Sequence, residues 1–363
     1  MSARKPGTAP NQLDLRRLFL RLGASAVLFV LVLFVSMEIA LRIGGRYADR
    51  LLINTSPGPD GVPVFDPAVG HLLEPRFSGI CRRTEFVCPV RSNSLGFRDD
   101  EVAEGKAPGE FRIWVLGDSI ASGFGVREED RFTERLETLL NAEGSPAVRL
   151  GRRVRVINSA VGGHGTWHEA LVLERFIERI VPDEVLLDFS TTNDFINNLE
   201  FTKWKNEGGR YYLFPPPEGL LKGFCRDQFH AYHLIGSLLR WESPLGAIES
   251  DARATTVAAL DRVRDACAAR GIPLTVAVMA TLNSLEEIDV PGTYQADAYR
   301  VALDILREGG YRVVDTVAAF RKRGQYRDLF HAIDRHPNAA GHALLASVIA
   351  GADLASSDEA ASR

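Results

Sequence analysis

The chain lacks any excess of basic residues. It has 43 Lys and Arg against 47 Asp and Glu in 363 residues, which gives a formal net charge of −4 at pH 7. Proteins that bind nucleic acid usually present a basic face to the phosphates. The charge balance therefore argues against nucleic acid as a partner. The hydrophobic fraction of 45% and the charged fraction of 25% are those of an ordinary globular protein.

Charge is absent altogether from one long stretch near the amino terminus. Residues 22–37 contain no Asp, Glu, Lys or Arg, and the apolar run continues after Glu38 as far as Leu41. About 20 such residues are enough to cross a bilayer as a helix. A buried core helix is the alternative, but such a helix rarely stays apolar on every face for this length. The pattern predicts a transmembrane anchor over residues 22–43.

A convincing signal-peptide cleavage site is also missing. A cleaved signal peptide has a shorter apolar core followed by a small-x-small site, and residues 36–40 (SMEIA) offer none. Five Lys and Arg residues precede the apolar run and three follow it shortly. Because cytoplasmic flanks carry the excess of basic residues, we expect residues 1–21 to be a cytoplasmic tail. The large domain would then lie outside the inner (cytoplasmic) membrane.

Cysteine is scarce, with four residues in the chain. Disulfides persist in exported domains, and Cys81 and Cys88 are close in sequence with polar neighbours, so we expect them to pair. Cys225 and Cys267 could be two buried thiols, and the sequence alone does not pair them.

The chain after the anchor divides by composition. Residues 44–110 are rich in Pro, Gly and charge with no sustained period, which indicates an extended linker or cap, with an ordered turn over residues 93–98. Strand-like and helix-like segments then alternate over residues 111–354, which is typical of βαβ units with a parallel sheet. Residues 355–363 are expected to form a disordered tail. No internal repeat is present.

The α/β region contains five predicted strands. They are residues 113–116, 154–158, 184–189, 274–279 and 311–314, and the helices between and after them are residues 132–141, 168–180, 252–270, 295–308 and 338–350. Residues 195–245 are irregular and rich in aromatics. An insertion of that length inside a compact domain is usually functional, such as a lid or a binding wall.

The sequence lacks the Gly-x-Ser-x-Gly elbow of α/β-hydrolases. Ser119 follows the first strand within Gly117-Asp-Ser-Ile-Ala121, so glycine is missing on one side. Polar residues just past the carboxyl end of a buried strand nevertheless lie where open α/β sheets bind ligands. Ser119 is therefore a candidate nucleophile, although Gly-Asp-Ser alone is weak evidence.

Three further polar clusters follow the second, third and fifth strands. They contain Gly163, Asn193, and the pair Asp334 and His336. Acyl transfer to serine needs a base and a group that orients the base, and His336 and Asp334 suit these roles. It also needs donors at the oxyanion. Gly163 can offer its backbone N–H, Asn193 its side-chain amide and Ser119 its own N–H.

In order and spacing, these four blocks resemble those of the SGNH (GDSL-type) esterase/lipase superfamily. The resemblance implies a flavodoxin-like three-layer α/β/α domain. It implies Ser119 as nucleophile, Gly163 and Asn193 as oxyanion donors, and His336 as base with Asp334 as its partner.

Two departures accompany the resemblance, which covers residues 111–354. Many members have Asp-x-x-His, whereas this chain has Asp-x-His at residues 334–336. The third block usually begins with glycine, whereas Thr191 and Thr192 precede Asn193 here. The second departure would narrow the oxyanion pocket.

Four other histidines are assigned no catalytic or metal-binding role. His164 and His168, four apart at a helix start, lack a carboxylate or a third histidine in register, so no metal site is expected. His230 and His233 are interpreted as structural residues of the insertion.

Three residues near the blocks are assigned lesser roles. His342 fits a packed or capping residue of the closing helix. His331 is the one rival to His336 as base, but it lacks an aspartate two residues before it. Asp118 is expected to order its loop as a hydrogen-bond acceptor.

The sequence thus predicts a membrane-tethered serine esterase without a cofactor or metal. Its substrates would be carboxylic O-acyl esters of an envelope glycan or a lipid. An O-acyltransferase that uses the same serine on an envelope polysaccharide is the first alternative. A non-catalytic glycan-binding or assembly subunit is the second, and it is weakened because all four blocks keep reactive residue types.

Overall fold

The architecture is that of a computed structural model, which describes residues 12–43, 63–83, 85–207, 250–332, 334–352 and Leu354. The interpretations of His230, His233, Cys225 and most of the aromatic insertion lie outside these residues, as do those of the first 11 and last nine residues.

The first described element is the helix α1 (Gln12–Ile43). Its segment Arg17–Ala40 is long and apolar enough to cross a membrane, with a mean hydropathy of 2.5. Large apolar side chains are exposed on all its faces, among them Phe19 and Val27 at 70%. The expected candidate transmembrane helix is therefore present. A signal sequence near an amino terminus would pass the same test.

The elements after α1 form two short hairpins followed by an alternating α/β region. The strands are β1 (Pro63–Asp66), β2 (Gly70–Leu73), β3 (Ser78–Arg82), β4 (Val87–Arg91), β5 (Glu110–Leu116), β6 (Arg153–Asn158), β7 (Glu184–Phe189), β8 (Leu274–Val278) and β9 (Arg312–Asp315). The helices are α2 (Ser119–Ser122), α3 (Phe132–Leu140), α4 (Pro146–Arg149), α5 (Thr166–Ile180), α6 (Asp194–Glu207), α7 (Ser250–Ala268), α8 (Leu282–Glu287), α9 (Tyr294–Glu308), α10 (Thr316–Arg323) and α11 (Ala339–Ala350), with 3₁₀ turns at Glu128–Asp130 and Arg327–Leu329.

The central sheet has five parallel strands in the order β6-β5-β7-β8-β9. Numbered along the chain from β5, this is the order 2-1-3-4-5 of flavodoxin-like folds. Helices α3 and α11 pack together on one face, and α5, α6 and α7 pack on the other. The predicted three-layer α/β/α domain is confirmed.

The central strands of the sheet form where most residues are apolar and buried. All six residues of β7 are buried, as are six of the seven in β5. Buried parallel strands show such runs because helices cover both faces of the sheet. The carboxyl ends of β5, β6 and β7 meet at the point where the strand order reverses, which is where ligands bind in open α/β sheets.

The region before the sheet is more ordered than its sequence predicts. The sequence predicts an extended linker or cap over residues 44–110, and the described part of this segment holds the antiparallel hairpins β1–β2 and β3–β4. Strands of four or five residues contain too few alternations to give a periodic signal. The turn over residues 93–98 is confirmed, since the side chain of Asn93 accepts hydrogen bonds from the N–H groups of Leu95 and Phe97.

The start of the aromatic insertion is also regular. Its first residues form the helix α6 up to Glu207, whereas the sequence predicts irregular structure from residue 195. Polar residues interrupt the apolar ones there without a 3.6-residue repeat, so periodicity does not reveal the helix.

The expected disulfide between Cys81 and Cys88 is absent, although the two residues lie directly opposite each other on β3 and β4. Pro89 has no N–H, so its pair with Ile80 cannot be a hydrogen-bonded one. The alternation of an antiparallel ladder then makes Cys81 and Cys88 a hydrogen-bonded pair, in which facing side chains lie further apart. Cys267 is a buried thiol of α7, and burial raises its pKa to about 12.

Candidate active site

The end of β5 places Ser119 at the edge of the sheet. A Cβ at Gly117 would lie 2.6 Å from the Cβ of Asp188, so only glycine allows the strand end to approach β7 this closely. The Oδ1 atom of Asp118 then accepts a hydrogen bond from the N–H of Ile120 at 2.8 Å and begins the short helix α2. The interpretation of Asp118 as a loop-ordering acceptor is confirmed. Ser119 is the first residue of that helix.

Ser119, His336 and Asp334 form a hydrogen-bonded chain. The Oγ atom of Ser119 is 2.8 Å from Nε2 of His336, and Nδ1 of His336 is 2.7 Å from Oδ1 of Asp334. The loop that carries the last two residues is closed by backbone hydrogen bonds between His331 and His336 and between Arg335 and His331, both 2.9 Å long. The structure therefore brings these three predicted side chains together.

The charges of the residues in this hydrogen-bonded chain determine which atoms carry the protons. Burial alone would raise the pKa of Asp334, but the hydrogen bond and the charge of His336 outweigh it, and the pKa is lowered. An ionised Asp334 accepts the Nδ1–H of His336. Nε2 is then the acceptor for the Ser119 hydroxyl, and this arrangement can take a proton from the serine.

The loop that carries Gly163 lies beside Ser119. A Cβ at Gly162 would be 3.8 Å from the Cβ of Ser119, which places this loop against the serine. Gly163 has φ +84°, a conformation that favours glycine. Within the described residues, neither its N–H nor that of Ser119 has a hydrogen-bond acceptor.

The side chain of Asn193 interacts with the carboxyl group of Asp118 and opposes the rise in its pKa that burial causes. This interaction places the amide beside the residue that precedes the serine. An amide group has two N–H donors, which suits the expected role of an oxyanion donor.

The two threonines that depart from the usual third block are held by the protein. Thr191 is fully buried. The hydroxyl of Thr192 is 2.8 Å from that of Thr281, which follows β8. The expected narrowing of the oxyanion pocket stays a prediction.

The rival histidine does not reach the serine. The ring of His331 packs against Phe86, with their centroids 4.7 Å apart, and burial lowers its pKa. His342 is fully buried in α11, and its Nδ1 accepts a hydrogen bond of 3.2 Å from the N–H of Phe132 at the start of α3. Burial lowers the pKa of His342 to about 3. The interpretation of His342 as a packed and capping residue is confirmed.

His164 and His168 belong to a cluster of three imidazoles. Their rings stack at 4.8 Å, and His71 from β2 meets His164 edge-on at 4.6 Å. Nowhere in the described ranges are His, Cys, Asp and Glu grouped so as to hold a metal ion. No pattern in the sequence connects His71 with the candidate site.

Arg98 is a second residue that sequence reasoning missed. Its guanidinium is buried and donates hydrogen bonds of 2.6 to 2.9 Å to the carbonyls of Ser122, Gly123 and Val126. It therefore holds the chain that follows the serine. Burial and the nearby charge of Arg131 lower its pKa to about 10. The turn over residues 93–98 was the only signal in the sequence.

Four buried acidic side chains cluster at the serine loop. They are Asp118, Asp188, Asp194 and Glu169. Burial raises the pKa of each, and repulsion by neighbouring carboxyl groups adds to the rise for Asp188, Asp194 and Glu169. Both carboxyl oxygens of Glu169 are buried and have no hydrogen-bond partner among the residues that the structure describes. This layer is consistent with neutral carboxyl groups packed under the site rather than with a set of reacting carboxylates.

The chain matches one protein family. A family model described as "GDSL-like Lipase/Acylhydrolase family" matches residues 115–344, more than half of the chain. No curated protein sequence matches it.

Several solved structures are similar in outline. One is LAE5, an alpha/beta hydrolase enzyme from the metagenome of Lake Arreo, with 14% identity, a TM-score of 0.42, and coverage of 68% of this chain and 97% of that one. Another is the two-domain esterase CEX, active on acetylated mannans, with 17% identity, a TM-score of 0.43, and coverage of 68% and 50%. A third is the acetylxylan esterase Axe2 of Geobacillus stearothermophilus, with 17% identity, a TM-score of 0.39, and coverage of 66% and 92%. Likeness of this extent does not identify a substrate.

Proposed function

The chain belongs to the GDSL-like lipase/acylhydrolase family and is a serine ester hydrolase, and from that premise we propose that it is tethered to a membrane and removes O-acyl groups from an envelope glycan or a lipid. Ser119 is the proposed nucleophile and His336 the proposed base, with Asp334 as the partner of that base. Gly163, Asn193 and Ser119 itself are the proposed oxyanion donors.

The hydrogen-bonded chain from Ser119 through His336 to Asp334 is the observation that carries this proposal. Its two distances of 2.8 and 2.7 Å lie within the range needed for proton transfer. A serine hydroxyl is a weak nucleophile until a base accepts its proton. The neutral imidazole supplies that base, and the ionised aspartate orients it and stabilises the imidazolium.

The proposed reaction proceeds through an acyl-enzyme. Ser119 Oγ bonds to the ester carbonyl carbon while its proton moves to Nε2 of His336, and the carbonyl oxygen becomes an oxyanion. Collapse of this intermediate breaks the bond to the alcohol, which leaves with the proton from His336. Water then gives a proton to His336 and attacks the acyl carbon. His336 returns this proton to Ser119 Oγ as the acyl bond breaks, which releases the carboxylic acid and free Ser119.

The N-terminal helix supports the location and the substrate class. Its exposed apolar surface matches a bilayer, and an uncleaved anchor with the basic excess before it would export the enzyme domain. A hydrolase held at that surface meets acylated glycans and lipid esters first. This is the argument for an envelope substrate over a small cytoplasmic ester.

A direct test uses the full-length chain in detergent with p-nitrophenyl esters of short and long acyl chains. Wild type should hydrolyse them, and Ser119→Ala should not. Ser145→Ala, which removes a serine at the start of α4, is the matched control and should keep wild-type rates. Hydrolysis by Ser119→Ala at the wild-type rate would defeat the proposal. Preferential transfer of the acyl group to an added glycan, rather than to water, would favour the acyltransferase.

A further inference from the structure

His71 touches the candidate oxyanion loop from outside the matched family region. It lies on β2, more than 40 residues before residue 115, and is 3% exposed. Its Nε2 is 3.2 Å from the carbonyl oxygen of Gly162. Burial lowers the pKa of His71 to about 4, outweighing the opposite effect of this hydrogen bond. The ring is therefore neutral near pH 7, and its Nε2–H donates to the carbonyl.

The Gly162 carbonyl and the Gly163 N–H belong to one peptide unit. No cis peptide bond occurs in the described part of the chain, and in a trans peptide these two groups point in opposite directions. A donor that holds the carbonyl towards β2 therefore holds the N–H on the opposite side. A Cβ at Gly162 would face the Cβ of Ser119 at 3.8 Å, so this peptide borders the serine.

Two glycines in succession make this peptide easy to turn over. Glycine has no Cβ to restrict φ and ψ, and Gly163 has φ +84°. If the peptide turned over, its carbonyl oxygen would replace the N–H and repel an oxyanion. The orientation therefore needs a partner outside the two glycines.

Among the surrounding contacts, the one that holds the orientation of the Gly162–Gly163 peptide comes from His71. The side-chain amide of Asn197 donates to the carbonyls of Gly163 at 3.3 Å and His164 at 3.1 Å, which fixes the two following peptides. His164 Nε2 donates in turn to the backbone carbonyl of His71 at 2.9 Å. Strand β2 and the loop are thus joined in both directions, and the Gly162–Gly163 peptide is held by His71.

We propose that His71 is a positioning residue that fixes the Gly162–Gly163 peptide so that the Gly163 N–H points to the oxyanion formed at Ser119. The proposal rests on the function proposed above. The β1–β2 hairpin then contributes a positioning residue to the site and is more than a linker.

The kinetic consequence is specific. The oxyanion exists in the transition state but not in the bound ester, so an interaction with it affects kcat and leaves KM nearly unchanged. One oxyanion donor is worth roughly 10²–10³ in rate. Loss of its alignment alone should cost about 10- to 100-fold in kcat.

The test compares two amides at position 71 in the full-length chain. The Nε2 of Gln reaches about as far as the Nε2 of His, so His71→Gln can still donate to Gly162. His71→Asn is one methylene shorter and cannot. His71→Leu removes the donor altogether. Val69→Ala trims a buried neighbour in the same hairpin without touching the hydrogen bond, and it controls for looser packing.

The measurements are kcat and KM for a p-nitrophenyl ester, with thermal unfolding as the check on folding. We expect His71→Gln to stay within about threefold of wild type in kcat. His71→Asn and His71→Leu should lose about 10- to 100-fold with KM within about threefold. Val69→Ala should keep wild-type kcat even if its Tm falls. If His71→Leu does not fold, the pair of amides decides the question.

Different results would refute the role of His71 and the proposed function. If wild type is active and Ser119→Ala is not, but His71→Asn matches His71→Gln in kcat, the role of His71 is refuted and the proposed function stands. A change in KM without a change in kcat would refute the role of His71 as well. If Ser119→Ala is as active as wild type, the function itself fails.

Discussion

The hydroxyl of Ser119 and the Nε2 atom of His336 are 2.8 Å apart although 217 residues separate them in the chain. The parallel sheet brings them together. Ser119 follows β5 directly, and His336 lies on the loop between the 3₁₀ turn Arg327–Leu329 and α11, which reaches the same edge of the sheet. This one contact relates the topology of the fold to its chemistry, and the first prediction follows from it.

Removing the base should be nearly as damaging as removing the nucleophile. His336→Ala leaves the Ser119 hydroxyl without a proton acceptor, and such changes typically cost about 10⁴–10⁶ in kcat. Asp334→Asn should cost less, since the imidazole remains while its orientation and charge support are lost. His331→Ala is the matched control and should stay within about threefold of wild type. A loss in His331→Ala equal to that in His336→Ala, with the fold intact, would mean that the base is wrongly assigned.

Asn193→Ala should separate labelling from turnover. It removes one of three proposed oxyanion donors, so kcat should fall roughly 10²–10³-fold. The serine and its base remain, so slow labelling by a fluorophosphonate should persist. Thr192→Ala, one residue earlier, is the comparison. Complete loss of labelling in Asn193→Ala would show that the side chain does more than donate to the oxyanion.

Activity should fall as the pH drops through the range in which imidazole titrates. A protonated His336 cannot accept the serine proton, and histidine ordinarily titrates near pH 6.5. The pKa of Asp334 is lowered, so its carboxylate stays ionised throughout this range and should not add a second step. The measurement is kcat/KM from pH 4 to pH 9. A flat profile down to pH 4 would argue against a histidine base.

Glu169→Gln should stabilise the protein at neutral pH. Burial, with the neighbouring carboxyl groups of Asp194, Asp188 and Asp118, raises the pKa of Glu169 well above its ordinary value. The folded state therefore holds a proton that the unfolded chain releases at neutral pH, which costs stability there. As the pH falls to the ordinary pKa of Glu, the unfolded chain takes up the same proton and the cost disappears.

Thermal unfolding at pH 7.5 and at pH 4.5 measures this effect. The Tm advantage of Glu169→Gln over wild type should be clear at the higher pH and should shrink at the lower. Glu178→Gln changes an exposed residue of the same helix, whose partner is Arg270, and should show neither a gain nor such a pH dependence. An advantage that is equal at both pH values would contradict the argument.

The N-terminal helix should remain part of the mature protein. A reporter enzyme that is active only after export, fused after residue 60, should be active in cells. The protein should stay in the membrane fraction after a high-salt wash, since an apolar helix of this length is not released by salt. Release of a soluble mature form would show that the helix is a cleaved signal sequence.

The sheet and the proposed catalytic residues could be predicted because their signals are local. Each buried strand is a short apolar run, and each candidate residue follows a strand end or lies on the last loop. The residues that support the site could not be predicted. His71 contacts Gly162 across 91 positions, and Arg98 reaches carbonyls 24 to 28 positions away. A single histidine or arginine on a short hairpin or turn leaves no spacing pattern.

The cysteine pair is a bond that the sequence predicts and the structure lacks. The sequence places Cys81 and Cys88 close together, and the structure confirms that they face each other across the hairpin. The two cysteines nevertheless do not form a disulfide. Pro89 makes them a hydrogen-bonded pair of the antiparallel ladder, in which facing side chains lie further apart. This pairing depends on how the two strands align, and the sequence of this segment does not reveal that alignment.

The most direct test of the account is the site of covalent modification by a fluorophosphonate. The wild-type chain should gain one phosphonyl group as fluoride leaves, and peptide mass spectrometry should locate that group on Ser119. Ser119→Ala should gain none, while Ser145→Ala should be labelled like wild type. Labelling at another residue, or equal labelling of Ser119→Ala, would contradict the assignment of Ser119 as the nucleophile.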